Sequence, residues 1–211
     1  MSADGHTVNT TEDSQPGKRK RIASLTSNIL SPFWLGLIFI LLLSFISAPS
    51  ALDALKWVFL SLGLSLLPIL VVVIYLLRRG KIDAIFTNVR QQRTQIYLLS
   101  GICAVIGYLV FSYLGAPLVL TAAFTAALLA TFSFMLINLW WKISFHTAFV
   151  AATATLLVML YGWTAAAAVA LVPLTAWARV ELEFHSPAQA VSGALLAALI
   201  VLVVFYPYFP A

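Results

Sequence analysis

Two histidines and an arginine are the residues of this chain whose types and positions suggest a chemical function. Arg179 and His185 lie in the segment AWARVELEFHSPAQAVSG, and His146 lies in the segment WWKISFHTA. Both segments separate long apolar runs, although only 9% of the residues are charged. Fixed positive charge beside groups that titrate near neutral pH suits an anion and the transfer of a proton or a phosphoryl group. These residue types therefore predict a binding site for an anionic group.

The rest of the chain is so apolar that lipid must be its solvent. Hydrophobic residues make up 62% of the 211 residues, and the mean hydropathy is +1.01. Apolar windows approach the roughly 20 residues that a helix needs to cross a bilayer, and none alternates with the period of barrel strands. We therefore expect an all-α, polytopic transmembrane bundle of six or seven spans. The windows lie near 31–49, 54–77, 96–114, 117–140, 146–161, 163–177 and 187–206.

The charge distribution predicts how the chain is divided and oriented. Residues 1–29 are polar, which predicts a disordered tail, and residues 30–211 then form one transmembrane domain. With seven spans, which require a break at Gly162, every lysine and arginine except Lys56 lies on one face. The positive-inside rule predicts that this face and the N-terminus are cytoplasmic, in a multi-pass protein of the cell membrane.

This topology predicts which segments form the site. The polar segments 78–95, 140–148 and 176–193 all lie on the basic face, and two crossings separate each from the next. They can therefore converge at one mouth of the bundle, where they would bring together histidines, cations and hydroxyls.

The order of these residues resembles the type 2 phosphatidic acid phosphatase superfamily of membrane lipid phosphatases. That family carries a basic motif ending in Arg-Pro, then Pro-Ser-Gly-His, then Ser-Arg, five residues, His, three residues and Asp. Here Arg179 and His185 match the third motif, and Ser144 and His146 match the second. The resemblance covers about residues 54–206. It implies hydrolysis of a lipid phosphate or diphosphate with no metal or other cofactor.

The resemblance also implies a role for each matched residue. His185 would be the nucleophile that forms a phosphohistidine, and His146 the general acid that protonates the departing lipid oxygen. Gln189 would orient the imidazole, and a glutamine at this position is similar to the branch that acts on dolichyl or other polyprenyl diphosphates. The phosphate would be bound by cationic and hydroxyl side chains: Arg179, Arg93, Arg90, Ser144 and Lys142.

The chain departs from the family pattern at Ala178, Ile143, Phe145, Thr94 and Gln189. A glutamine cannot stabilise an imidazolium by charge, so turnover could be lower than in the family. Two alternatives to an active phosphatase stay open: a lipid-phosphate-binding homologue with weak or no turnover, and a small membrane transporter or scaffold. The expected partners are a lipid phosphate substrate and membrane lipids, with no nucleic acid, and the oligomeric state is undetermined.

Two residues also have purely structural interpretations. Ser186, Pro187 and Gln189 match the N-cap, first position and third position of a helix with a capping box, which explains Gln189 without any catalytic role. Arg179 lies four residues before Glu183, so the two could form a surface salt bridge.

Overall fold

The computed structural model describes residues 17–82 and 89–209, and these residues form helices without strands. Two of the helices are connected by a π-helical turn, Leu62–Leu66, and two others by a 3₁₀ segment, Gly162–Ala170. The α-helices are α1 Lys18–Ile29, α2 Pro32–Ser47, α3 Ala51–Ser61, α4 Leu67–Arg78, α5 Arg90–Tyr113, α6 Leu118–Asn138, α7 Phe145–Tyr161, α8 Leu171–Glu181 and α9 Pro187–Phe205.

Six helical runs of the described chain are long and apolar enough to cross a membrane. This confirms the prediction of an all-α bundle in a multi-pass membrane protein. The runs are Lys18–Ser47, Ala51–Arg78, Gln91–Tyr113, Leu118–Asn138, Phe145–Glu181 and Pro187–Phe205.

The run Phe145–Glu181 folds back on itself at Gly162. As one straight helix its 37 residues would extend for about 55 Å, at 1.5 Å per residue. Instead α8 packs against α7, and Arg179 near one end of the run interacts electrostatically with His146 near the other. Gly162 has φ +60° and ψ −142°, a backbone conformation that is essentially restricted to glycine. Gly162 is therefore the predicted break, and the run contributes two antiparallel arms to the bundle.

The prediction of a disordered tail is wrong for residues 18–29. They form α1, which packs against α8 and buries Ala23 and Ser27. Composition alone missed this helix because its stability comes from tertiary contacts with α8 rather than from its own apolar content. Residues 1–16 of the predicted tail lie outside the described residues.

The bundle is closed by two close helix pairs, α5 with α6 and α7 with α9. Phe111, Phe124, Phe205 and Trp57 form the aromatic part of the main core. Pro68 follows the π-helical turn in the second run. Proline lacks an N–H and crowds the preceding helical turn, which a π-helical turn accommodates.

Candidate functional site

The connection between α8 and α9 sets the spacing of Arg179 and His185. The amide of Phe184 donates to the carbonyl oxygen of Arg179 at 3.1 Å, and the amide of Glu183 donates to that of Val180 at 2.9 Å. Glu183 has φ 59°, in the left-handed region. These two bonds and the left-handed residue define a Schellman motif, which ends α8. His185 follows directly, and its amide also donates to the Arg179 carbonyl, at 3.3 Å.

The start of α9 has the predicted capping box. The Ser186 hydroxyl accepts from the amide of Gln189 at 3.3 Å, and Gln189 Oε1 accepts from the amide of Ser186 at 3.1 Å. Pro187 occupies the first helical turn. The Gln189 side chain also forms a hydrogen bond with the imidazole of His185. The structural and orienting interpretations of Gln189 are therefore compatible, because one side chain makes both contacts.

Hydrogen bonds hold the start of α7 against the start of α9. Ser144 is the N-cap of α7, where its hydroxyl accepts from the amide of Thr147, and its own amide donates to the Gln189 carbonyl at 3.1 Å. Thr147 Oγ1 donates to the Ala190 carbonyl at 2.9 Å. A Cβ on Gly193 would lie 2.6 Å from the Ser144 carbonyl oxygen. Glycine at 193 thus permits the backbone approach that brings His146 and His185 to the same end of the bundle.

Arg93 enters this region from the first turn of α5. Its Nη2 donates to the carbonyl oxygen of Ile143 at 2.8 Å and to the Tyr97 hydroxyl at 3.1 Å. Its guanidinium also lies over the ring of Phe145, 5.5 Å from the centroid. The aromatic rings and the carbonyl hold the guanidinium next to the segment that precedes His146.

Arg179 is held at the end of α8 by contacts from two directions. Its Nη1 donates to Ser27 Oγ at 2.8 Å, and its guanidinium lies 4.4 Å from the ring centroid of Phe184. Its Nε is buried and has no hydrogen-bond partner in the described part of the chain. The predicted alternative, a salt bridge to Glu183, is wrong, because that carboxylate bonds Lys20 at 2.9 Å.

Five of the predicted site residues interact across these segments. His146 interacts electrostatically with Arg179 and His185. Arg179 also interacts with Arg93, and Lys142 with both arginines and with His185. Of the other predicted residues, Ser144 and Gln189 form the caps described above, and the side chain of Arg90 lies outside the described structure. Three separate polar segments therefore supply one cluster.

The cluster carries positive charge that no described carboxylate neutralises. Arg93 and Arg179 are only 5% and 4% exposed. The carboxylate residues within 17–82 and 89–209 are Asp53, Glu181 and Glu183, and each is engaged elsewhere: with Ser50, Arg19 and Lys20 respectively. An unpaired buried charge costs several kcal/mol. The arrangement is therefore suited to an anion that would offset this cost.

Burial and the same positive charge lower the pKa of two groups outside the spans. Burial, together with the charges of Arg179, Arg93 and Lys142, lowers the pKa of His185 to about 3 against the opposing hydrogen bond of Gln189. Burial also lowers the pKa of Lys142, with Arg93 and Arg179 acting in the same direction. His185 is therefore neutral at neutral pH, the form in which an imidazole is a nucleophile. Its Nδ1 is buried without a hydrogen-bond partner among the described residues.

A mostly apolar cavity of about 270 Å³ lies in the bundle beside this cluster. Phe134, Phe145 and Phe149 form part of its wall, together with small residues of α6 and α7 such as Ala130 and Ala152. The ring of Phe145 contacts Arg93 as well, so one side chain borders both the cavity and the cationic cluster. Its volume is close to the lower end of the range for small-molecule sites.

Ser27, Tyr97 and the cavity were missed by sequence reasoning. Ser27 lies in a segment whose polar composition predicted disorder, and Tyr97 lies within an apolar window. The spacing of Ala23 and Ser27, four residues apart after a basic cluster, is the one local signal for a helical face that packs against the bundle. The cavity depends on packing between distant helices and has no local signal.

No protein-family model, curated protein or solved structure matches this chain. Among the described residues, no three histidine, cysteine, aspartate or glutamate side chains are grouped so that they could hold a metal ion.

Proposed function

We propose that this chain is an integral membrane phosphatase that hydrolyses a lipid phosphate or diphosphate, in particular one with a polyprenyl chain. One observation carries the proposal: two buried guanidinium groups, with no carboxylate partner among the described residues, lie in a cluster with two histidines. Guanidinium groups bind phosphate oxygens with paired N–H donors. A phosphate group satisfies both the charge and the free donor at Arg179 Nε.

The apolar cavity supports a lipid as the source of the phosphate. Phe145 borders both the cavity and Arg93, so a hydrocarbon chain in the cavity would place its headgroup at the cations. A chain that stays among apolar side chains keeps its contacts with hydrocarbon while the headgroup meets polar groups.

In the proposed reaction, a neutral imidazole nitrogen of His185 attacks phosphorus as the bond between phosphorus and the lipid oxygen breaks. His146 gives a proton to the departing oxygen, and the negative charge of the phosphate favours that proton on His146 beforehand. Water then attacks the phosphohistidine, gives its proton to His146 and releases phosphate and neutral His185. Arg93, Arg179 and Lys142 stabilise the charge on the phosphate oxygens throughout.

We assign the site to the cytoplasmic face of the cell membrane, with the N-terminus on the same side. The support is the charge distribution: the cluster and α1, with Lys18, Arg19, Lys20 and Arg21, belong to the basic end of the bundle.

A second candidate function is a lipid-phosphate-binding protein with little or no turnover. Gln189 favours it, because the residue that contacts His185 is neutral and cannot stabilise the imidazolium side of the phosphohistidine by charge. Such a protein would use the same cations but would leave the phosphate bond intact.

The test is phosphate release by the purified protein in detergent, without added metal. Polyprenyl diphosphate, polyprenyl phosphate and phosphatidic acid would be compared, with wild type and His185→Ala measured side by side. Release that disappears in the variant supports the phosphatase. Binding without release supports the binding protein, and neither binding nor release would overturn both.

A further inference from the structure

The amino-terminal helix α1 forms part of the wall of the cationic cluster. Two ion pairs join it to the end of α8 and to the connection that follows: Arg19 with Glu181, the last residue of α8, at 3.1 Å, and Lys20 with Glu183 at 2.9 Å. Farther along the same helix, Ser27 accepts a hydrogen bond from Arg179 Nη1 at 2.8 Å. α1 is therefore attached at both its basic end and its buried face.

The Ser27 hydroxyl is buried, and its own proton has no acceptor among the described residues. The side chain belongs to a residue that is only 4% exposed, and its hydrogen bond from Arg179 uses the oxygen as acceptor. A hydroxyl has one donor in addition to its acceptor lone pairs. A hydrogen bond received from a cation polarises a hydroxyl and strengthens the bond that it donates in turn.

Two further unpartnered groups belong to the same cluster. Arg179 Nε and His185 Nδ1 are both buried without a hydrogen-bond partner in the described structure. Buried polar groups are rarely left unpaired, because each costs about 1–3 kcal/mol. Arg179 connects the two observations, since the same guanidinium carries the free Nε and bonds Ser27.

We propose that Ser27 is a further phosphate-binding residue, whose hydroxyl donates to an oxygen of the phosphate that Arg179 binds. The inference rests on the proposed function and extends the site to a helix outside the segments that carry Arg93, His146 and His185. Ser27 and Arg179 then act as a pair: the guanidinium supplies charge, and the hydroxyl supplies a directed donor. The ion pairs of Arg19 and Lys20 keep α1 in place on α8.

The test compares phosphate affinity in variants that differ only in this hydroxyl. Threonine and valine have the same shape, so Ser27→Thr retains the hydroxyl and Ser27→Val removes it. Ser24→Ala is the matched control, because Ser24 lies on the exposed face of α1. The full-length protein in detergent would be titrated by ³¹P NMR with inorganic phosphate and, separately, with a short-chain phosphatidic acid.

The expected result is that Ser27→Val binds both probes about tenfold more weakly than Ser27→Thr, as loss of a hydrogen bond to a charged group predicts. Ser24→Ala should bind as wild type does. Tighter binding of phosphatidic acid than of inorganic phosphate would assign the site to a lipid headgroup, and equal binding would assign it to free phosphate. Equal affinities of the valine and threonine variants would overturn the role of Ser27.

A double-mutant comparison separates a phosphate ligand from a residue that only holds Arg179 in position. In an Arg179→Lys background the charge remains but the guanidinium contact with Ser27 is lost. If Ser27 only positions Arg179, Ser27→Val should then have no further effect. A further loss of affinity supports direct donation to the phosphate. Wild-type protein that binds neither probe would instead contradict the proposed function itself.

Discussion

The amide of His185 donates a hydrogen bond to the carbonyl oxygen of Arg179, 3.3 Å away. The motif that ends α8 therefore also sets the spacing between the proposed phosphate-binding arginine and the proposed nucleophile. The same carbonyl accepts from the amide of Phe184, whose ring covers the Arg179 guanidinium. The turn therefore positions both the backbone of His185 and the side chain of Arg179.

Replacing either buried arginine should abolish phosphate binding without lowering stability in phosphate-free buffer. Arg93→Gln and Arg179→Gln each remove a buried charge that has no described carboxylate partner, and that charge is costly without an anion. Thermal unfolding in detergent, with and without phosphate, measures both effects. Wild type should be stabilised by phosphate through mass action, and the variants should not. Arg21→Gln is the control, because Arg21 is exposed on α1. A large loss of stability without phosphate would argue against an empty anion site.

Stability should fall on acidification because His185 is held neutral. Its folded-state pKa of about 3 lies below its ordinary value of 6.5, so its contribution is present above pH 6.5 and is lost as the pH falls toward 3. The slope from this group alone is about 1.4 kcal/mol per pH unit. Denaturant unfolding between pH 7 and pH 5 should show a shallower slope in His185→Gln than in wild type. Identical slopes would contradict a neutral, buried His185.

A carboxylate at position 189 should raise turnover while keeping the fold. Gln189→Glu retains an oxygen that can accept from the Ser186 amide, so the capping box survives. It also adds a negative charge next to His185, which favours the cationic form of its phosphorylated ring. We expect kcat for phosphate release to rise several-fold with little change in melting temperature. Gln189→Leu should lower both quantities. A Gln189→Glu protein that is folded but slower than wild type would contradict the stabilisation of the phosphorylated ring by a negative charge at this position.

Substituting Gly193 should separate α7 from α9 at the site. A Cβ there would lie 2.6 Å from the Ser144 carbonyl oxygen, so Gly193→Ala must displace one of the two backbones. We expect a destabilisation of about 1–3 kcal/mol, typical of overpacking, and a loss of phosphate release. Gly63→Ala is the matched control, because a Cβ at that residue would meet no atom of another helix within 4 Å. Equal behaviour of the two variants would show that the close approach is unimportant.

Filling the apolar cavity should affect the lipid chain and leave the phosphate site intact. Ala152 lines the cavity, so Ala152→Leu should raise KM for polyprenyl phosphate while the affinity for inorganic phosphate stays unchanged. The control is Ala170→Leu, at an exposed position of the 3₁₀ segment. If KM for long-chain and short-chain lipid phosphates changes equally, the cavity does not hold the chain.

Much of the bundle follows from hydropathy, because lipid imposes a length and a helical backbone on every crossing. The break at Gly162 and the capping box at Ser186 and Gln189 also have local signals, which the structure confirms. For α1 the spacing of Ala23 and Ser27 is a weak local signal, because the polar composition of the segment predicts disorder; contacts with α8 outweigh that tendency.

The site was predictable in its residue types but not in its contacts. The even number of crossings between polar segments predicted that they would meet, and His146, His185, Arg179, Arg93 and Lys142 do interact. The contact of Ser27 with Arg179 joins residues 152 positions apart, so the periodicity within either segment could not predict it. The cavity likewise depends on the volumes of side chains from several helices at once.

Trapping the covalent intermediate would decide whether His185 is the nucleophile of a lipid phosphatase. Protein turning over polyprenyl diphosphate would be quenched in alkali, which preserves phosphohistidine, and the phosphorylated residue would be located by mass spectrometry. We expect phosphate on His185 in wild type, and none when Arg179→Gln removes the anion site. Phosphate release with His185 unmodified, or phosphorylation at another residue, would contradict the proposed mechanism.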